Sequence, residues 1–321
     1  MTARPVLWIT RKLSAATQAR AARDYDVRLN PEDRVFSAEE IVATSSEVDA
    51  ILPCHSERFS QDVVARLSPR VKIIANHSVG VDHCDLAACK ARGIVVTNTP
   101  DVLSDATAEI ALLLMLGAAR RASEGDRLVR TGQWSSWSPS FMVGTQATGK
   151  RLGIVGMGRV GQAFRRIVSG LGMQVHYSNR RRLPADQEAG AIFHASIDEL
   201  LVQSDFVSLH CPATHETMNL IDARRLALLP RGAILVNTAR GNLIDEVALI
   251  AALRSGQLAA AGLDVFKTEP GGTAELAKLD NVFLLPHIGS ATRETRDQMG
   301  FRALDNLDAF FAGKPPRDRL V

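Results

Sequence analysis

Gly153-Ile-Val-Gly156-Met-Gly158-Arg159-Val160-Gly161 is the stretch on which the fold turns. An apolar run leads into glycines spaced G-x-G-x-x-G, and a helical pattern follows. Gly156 permits a tight turn, Gly158 lets backbone approach a pyrophosphate, and Gly161 lets helix and strand pack closely. The stretch predicts the strand, phosphate turn and helix that open a dinucleotide-binding sheet.

Around it, short apolar runs alternate with helical stretches, the pattern of an α/β fold with parallel sheets. Six strands are expected at 151–155, 174–178, 206–210, 233–237, 261–265 and 282–285, with helices at 159–171, 197–201, 222–228, 245–255 and 273–279. Nearer the N-terminus, strands are expected at 6–10, 50–53, 71–75 and 94–97, with helices at 38–44 and 62–67. Ser104 can cap one long helix from Asp105 to about Arg130, and a Trp/Ser/Pro-rich loop covers 132–140. A last helix over 292–311 ends at Gly313 and Pro315-Pro316 and is expected to return to the first domain. The chain therefore reads as two lobes: residues 1–102 with 291–321, and an inserted dinucleotide-binding domain over 103–290.

Composition narrows the function. The 321 residues are 46% apolar and 23% charged, with a net charge of +3, too little for a nucleic-acid surface. Cys54, Cys84, Cys89 and Cys211 form no C-x-x-C pair or zinc spacing, so no metal is expected, and they read as reduced cytoplasmic thiols. The apolar part of 1–10 is too short for a signal peptide, and 110–119 is too short to span a bilayer.

The second strand of the nucleotide fold runs into Ser178-Asn179-Arg180-Arg181-Arg182. An NAD site places a carboxylate here for the ribose 2′-hydroxyl. Guanidinium groups instead suit a 2′-phosphate, which predicts NADP(H), with NAD(H) binding more weakly. The competing reading is a solvated basic turn. Three further residues follow strand ends: Arg240 in Asn237-Thr238-Ala239-Arg240-Gly241, Glu269 in Asp264-Val-Phe-Lys-Thr-Glu269-Pro270, and His287 in Leu285-Pro286-His287-Ile288-Gly289-Ser290. Keto-acid reduction needs a fork for the carboxylate and carbonyl, a proton donor near neutrality, and a carboxylate to orient that donor. Arg240, His287 and Glu269 supply these. His77, His83, His176, His194, His210 and His215 lack such partners in sequence and read as structural.

These motifs, in this order over nearly the whole chain, resemble the D-2-hydroxyacid dehydrogenase family, specifically its glyoxylate/hydroxypyruvate reductase branch. The resemblance implies a flavodoxin-like substrate domain and a Rossmann-type domain closing over the substrate. It assigns the substrate carboxylate to the amides of Val79 and Gly80 in Asn76-His-Ser-Val-Gly-Val-Asp82, and puts Ser290 at the substrate. It puts Thr107 near the cofactor, Arg159 and Val160 in the phosphate loop, and Cys211-Pro212 under the adenine side. Thr238 to Arg240, including Ala239, would line the nicotinamide side, and Asp264 would hold the carboxamide. It implies a homodimer through the cofactor domain, with Trp134 and Trp137 suited to that interface and Glu269 in place of Gln argues against formate dehydrogenases, and no lysine near Ser78 argues against phosphite dehydrogenases. The expected reaction is NADPH-dependent reduction of glyoxylate or hydroxypyruvate. The alternatives are a 2-ketogluconate, pyruvate or phenylpyruvate type of the same family, or a nicotinamide-sensing corepressor-like protein.

Overall fold

The strand Ala233–Asn237, sequence AILVN, is buried at all five positions, which requires cover on both faces of its sheet. Helices supply that cover in each of two units of the computed structural model, which describes residues 4–321. One unit takes the described residues up to Leu103 and resumes over Ala291–Val321; the other is Ser104–Ser290.

The first unit contains β1 (Val6–Ile9), α1 (Ala15–Asp24), β2 (Asp26–Arg28), α2 (Ala38–Thr44), β3 (Ala50–Leu52), α3 (Gln61–Arg66), β4 (Ile73–Ala75), α4 (Leu86–Ala91) and β5 (Val95–Thr97). The second begins with α5 (Ser104–Ala119) and α6 (Ala122–Arg130). It continues with β6 (Arg151–Val155), α7 (Arg159–Val168), β7 (Gln174–Ser178), α8 (Ala185–Glu188), β8 (Ile192–Phe193), α9 (Ile197–Val202) and β9 (Phe206–Leu209). Then come α10 (Ala223–Leu228), β10 (Ala233–Asn237), α11 (Glu246–Arg254), β11 (Leu258–Leu263), α12 (Ala274–Ala277) and β12 (Val282–Leu284). The helix α13 (Arg293–Phe311) belongs to the first unit.

Both sheets are parallel. The first has the order β2-β1-β3-β4-β5, the second β12-β11-β10-β9-β6-β7-β8. In the second, the order reverses at β6, between β7 and β9, and the crevice at such a reversal is where these folds bind ligands. Apolar clusters line both faces of each sheet.

Three sequence expectations need correction. The helix expected over 105–130 is two helices. Residues up to Ala119 are apolar and packed in the core, whereas α6 buries none of its residues. The chain leaves the core at Arg120 and turns through Arg121, at φ +56°. The nucleotide sheet has seven strands, not six, because β8 is only two residues long and shows no periodicity. In the first unit, α1, β2 and α4 were not anticipated; β2 is a polar edge strand, DVR, without an apolar signal. Helices expected to begin at Asp222, Asp245, Thr273 and Thr292 begin one residue later, because each of these side chains accepts from the first turn as an N-cap. Among the described residues, no helix is long and apolar enough to cross a membrane.

Candidate active site

The glycine turn after β6 has the geometry its spacing demands. Gly156 has φ +93°, and a Cβ there would lie 2.6 Å from the Cys211 nitrogen. A Cβ on Gly161 would lie 2.6 Å from the Gly156 carbonyl oxygen, so only glycine lets α7 approach β6. Gly158 faces open space, and α7 carries no acidic residue in its first turn and no capping side chain. Its amides are therefore not claimed by a cap and suit a pyrophosphate, so the turn passes as a dinucleotide site. Arg159 and Val160 begin α7.

The segment after β7 divides its basic residues. Asn179 Oδ1 accepts from the Met157 amide at 2.6 Å, pinning the glycine turn. Arg182 is not available to a phosphate as the sequence reading supposed: it donates to Glu188 from Nε at 2.8 Å and Nη2 at 3.0 Å, and lies over the Phe193 ring. Glu188 is buried and also accepts from the Tyr177 hydroxyl, so it needs that cation. Arg180 and Arg181 are both exposed.

Arg240, Glu269 and His287 follow the carboxyl ends of the adjacent strands β10, β11 and β12. The buried Asn237 builds the Arg240 turn: its Oδ1 accepts from the Ala239 amide at 3.0 Å and its Nδ2 donates to the Arg240 carbonyl at 2.8 Å. A Cβ on Gly241 would collide with the Phe266 carbonyl, so glycine there brings the Arg240 turn against the loop bearing Glu269. Glu269 works in two directions. Oε1 accepts from the Phe266 amide at 2.7 Å, and Oε2 is 2.5 Å from His287 Nδ1.

His287 itself has φ +55°, a left-handed backbone that non-glycine residues seldom adopt. The next two amides hold it there, Ile288 donating to Asp264 Oδ1 at 2.8 Å and Gly289 to Asp264 Oδ2 at 2.7 Å. Burial pushes the Asp264 carboxyl upward, and the two amides oppose that. The sequence reading did not anticipate this anchoring role. Thr107 on α5 borders Gly289, and Ser290 follows it. Thr238 Oγ1 lies 3.4 Å from His210 Nδ1, and His210 Nε2 is 2.8 Å from Ser208 Oγ. Burial pushes His210 down to about 3, so it is a neutral packing element beside Cys211-Pro212.

Val79 and Gly80 lie in the first unit, on the loop after β4. The Thr99 amide donates to the Ser78 carbonyl at 2.9 Å, and Asn98 Nδ2 donates to the Val79 carbonyl at 2.8 Å. In a trans peptide, N–H and C=O point oppositely. Fixing those two carbonyls therefore aims the amides of Val79 and Gly80 together, the other way. Asn98 and Thr99 had been noticed only as part of a motif. Trp134 and Trp137 are 56% and 74% exposed, and Phe141 is also exposed, whereas Leu103 and Met142 are intermediate. A cavity of about 340 Å³, lined among others by Gly117, Arg121, Val143 and Phe283, shares no residue with the chemistry above.

Comparison with known proteins fits this arrangement. Residues 112–289, over half the chain, match the NAD binding domain of the D-isomer specific 2-hydroxyacid dehydrogenases. A glycerate dehydrogenase of Hyphomicrobium methylovorum is 44% identical over 307 residues, covering 95% of each chain. A glyoxylate reductase of Pyrococcus furiosus is 43% identical over 98% of this chain and 94% of that one. The NADPH-dependent glyoxylate/hydroxypyruvate reductase of Sinorhizobium meliloti, solved with NADP and malonate, superposes with a TM-score of 0.88 at 30% identity, covering 99% of this chain and 97% of that one. The chain belongs to the D-isomer specific 2-hydroxyacid dehydrogenase family. It is an oxidoreductase acting on the CH–OH group, and within the family it falls in the glyoxylate/hydroxypyruvate reductase branch.

Proposed function

We propose that this enzyme reduces small 2-keto acids with NADPH, glyoxylate to glycolate and hydroxypyruvate to D-glycerate. The observation that carries the reading is the 2.5 Å bond from His287 Nδ1 to Glu269, on strand ends neighbouring that of Arg240. The bound nicotinamide supplies hydride to the 2-carbon. Arg240 grips the substrate carboxylate, shared with the amides of Val79 and Gly80, and polarises the ketone; Ser290 contacts the substrate. Glu269 fixes the imidazole through Nδ1, so protonated His287 gives its proton from Nε2 to the alkoxide oxygen.

Gly156, Gly158, Arg159, Val160 and Gly161 cradle the pyrophosphate, with Thr107 nearby. Cys211 and Pro212 underlie the adenine side. Thr238 and Ala239 line the nicotinamide side, and Asp264 holds the carboxamide with the lone pairs its two amide bonds leave. Asn179 sits at the ribose, while Arg180 and Arg181 take the 2′-phosphate. The NADP-bound S. meliloti relative supports that preference, and NADH is the weaker donor. A homodimer through the cofactor domain, with Trp137 reaching the partner's site, accounts for the exposed tryptophans. Four cysteines without a disulfide suit the reducing cytoplasm.

Initial rates with glyoxylate, hydroxypyruvate, pyruvate and phenylpyruvate, each with NADPH and NADH, test the assignment. His287→Ala should lose nearly all turnover while still binding NADPH by fluorescence titration; a variant keeping most of the rate refutes the acid–base role. Wild-type protein that binds NADPH but turns over none of the acids would favour a nicotinamide sensor.

A further inference from the structure

The first unit contains one arginine that departs from its neighbours. Arg11 pairs with Asp33, Arg20 with Asp305 and Asp308, and Arg302 with Asp318. Arg296, in the first turns of α13, is partly buried, yet its guanidinium donates to no carboxylate or carbonyl among the described residues. Desolvation without an acidic partner holds it below the usual arginine range. A partly desolvated guanidinium with unused donors is costly unless something else accepts from it.

Its surroundings say where that acceptor would come from. The charge is near Cys54, which follows β3. The Arg296 carbonyl is 3.4 Å from Nε2 of His77, which follows β4 and belongs to the loop carrying Val79 and Gly80. Arg296 thus stands at the carboxyl edge of the first sheet, beside the amides proposed for the substrate's carboxylate. Neither neighbour competes as an anion. Burial pushes the Cys54 thiol up to about 12 and His77 down to about 4, so both are neutral near pH 7.

We propose that Arg296 is a specificity-determining residue that donates hydrogen bonds to an oxygen carried on carbon 3 of the 2-keto acid, a hydroxyl or a carboxylate. This rests on the keto-acid reductase reading above. The guanidinium can only donate, so it discriminates against a methyl group and is indifferent to a substrate with no carbon 3.

The test compares wild type with Arg296→Met and Arg296→Lys on glyoxylate (no carbon 3), pyruvate (methyl), hydroxypyruvate (hydroxyl) and oxaloacetate (carboxylate). With Arg296→Met, kcat/KM should fall on the order of ten- to a hundredfold for the last two. It should change less than about threefold for the first two, with Arg296→Lys intermediate. Loss confined to hydroxypyruvate or to oxaloacetate identifies which acceptor the residue serves and supports the proposal. Equal loss on all four substrates, or no loss on any, overturns it while leaving the reductase reading intact, because wild-type glyoxylate turnover is measured alongside. A wild type inactive on all four removes both.

Discussion

His287 is held in a backbone conformation that its own side chain disfavours, and the restraint comes from one buried carboxylate two strands' loops away in sequence. Asp264 accepts the two amides that follow the histidine. Asp264→Asn keeps the shape but turns one acceptor into a donor facing an N–H. It should cost about 1–3 kcal/mol of stability and lower kcat at least about tenfold as the imidazole loses its orientation. Thermal unfolding and steady-state rates check this, and a variant with unchanged stability would show that the loop does not depend on Asp264. At this scale the sequence was legible where a residue type announces its chemistry: Arg240, Glu269 and His287 could be picked from strand-end positions alone. Asn237, Asn98, Thr99 and the anchoring role of Asp264 were not, because an amide or carboxylate that ties backbone has no spacing signature. Arg182 misled for the opposite reason. Its partner Glu188 sits six residues on, and nothing in the sequence marks that acid as buried.

Among elements, the β6–turn–α7 unit is the most constrained. Gly156→Ala meets both a positive φ and the backbone of Cys211, so relaxation must move the β9 end or the turn. We expect cofactor affinity to fall at least about tenfold, read by NADPH fluorescence titration, with the far-UV spectrum retained. The segment after β7 carries a second expectation. Changing Arg180 and Arg181 together to serine should raise KM for NADPH roughly ten- to a hundredfold and leave KM for NADH nearly unchanged. An equal effect on both cofactors would assign these arginines to fold or solubility. Element type was readable where apolar runs were long, as in β6, β9 and β10. The break between α5 and α6 was not, since both halves are good helix formers; what ends the first is the end of the buried surface at Ala119.

Across the whole molecule, acid sensitivity follows from histidines packed as neutral bases. His77 is 4% exposed and pushed down to about 4, whereas an unfolded histidine takes its proton near 6.5. Above both values it contributes no pH dependence. As pH falls between them the unfolded chain binds the extra proton, so stability declines by roughly 1.4 kcal/mol per pH unit and levels off below the folded value. Urea midpoints at about pH 7 and pH 5 should therefore differ less in His77→Gln than in wild type; equal slopes would exclude His77 as a source.

The first unit is also assembled from the two ends of the chain. Ala303, Leu304 and Leu307 of α13 share a buried cluster with Leu7, Ile9, Ala21 and Ile73, and Arg319 bridges to Thr97. During synthesis on a ribosome, the intervening nucleotide-binding stretch emerges complete while the earlier sheet still shows an uncovered apolar face. That face is sealed only when the final helix is released, so the nascent N-terminal portion must be shielded for most of translation, and a C-terminal truncation before residue 311 should expose it to chaperones and proteases.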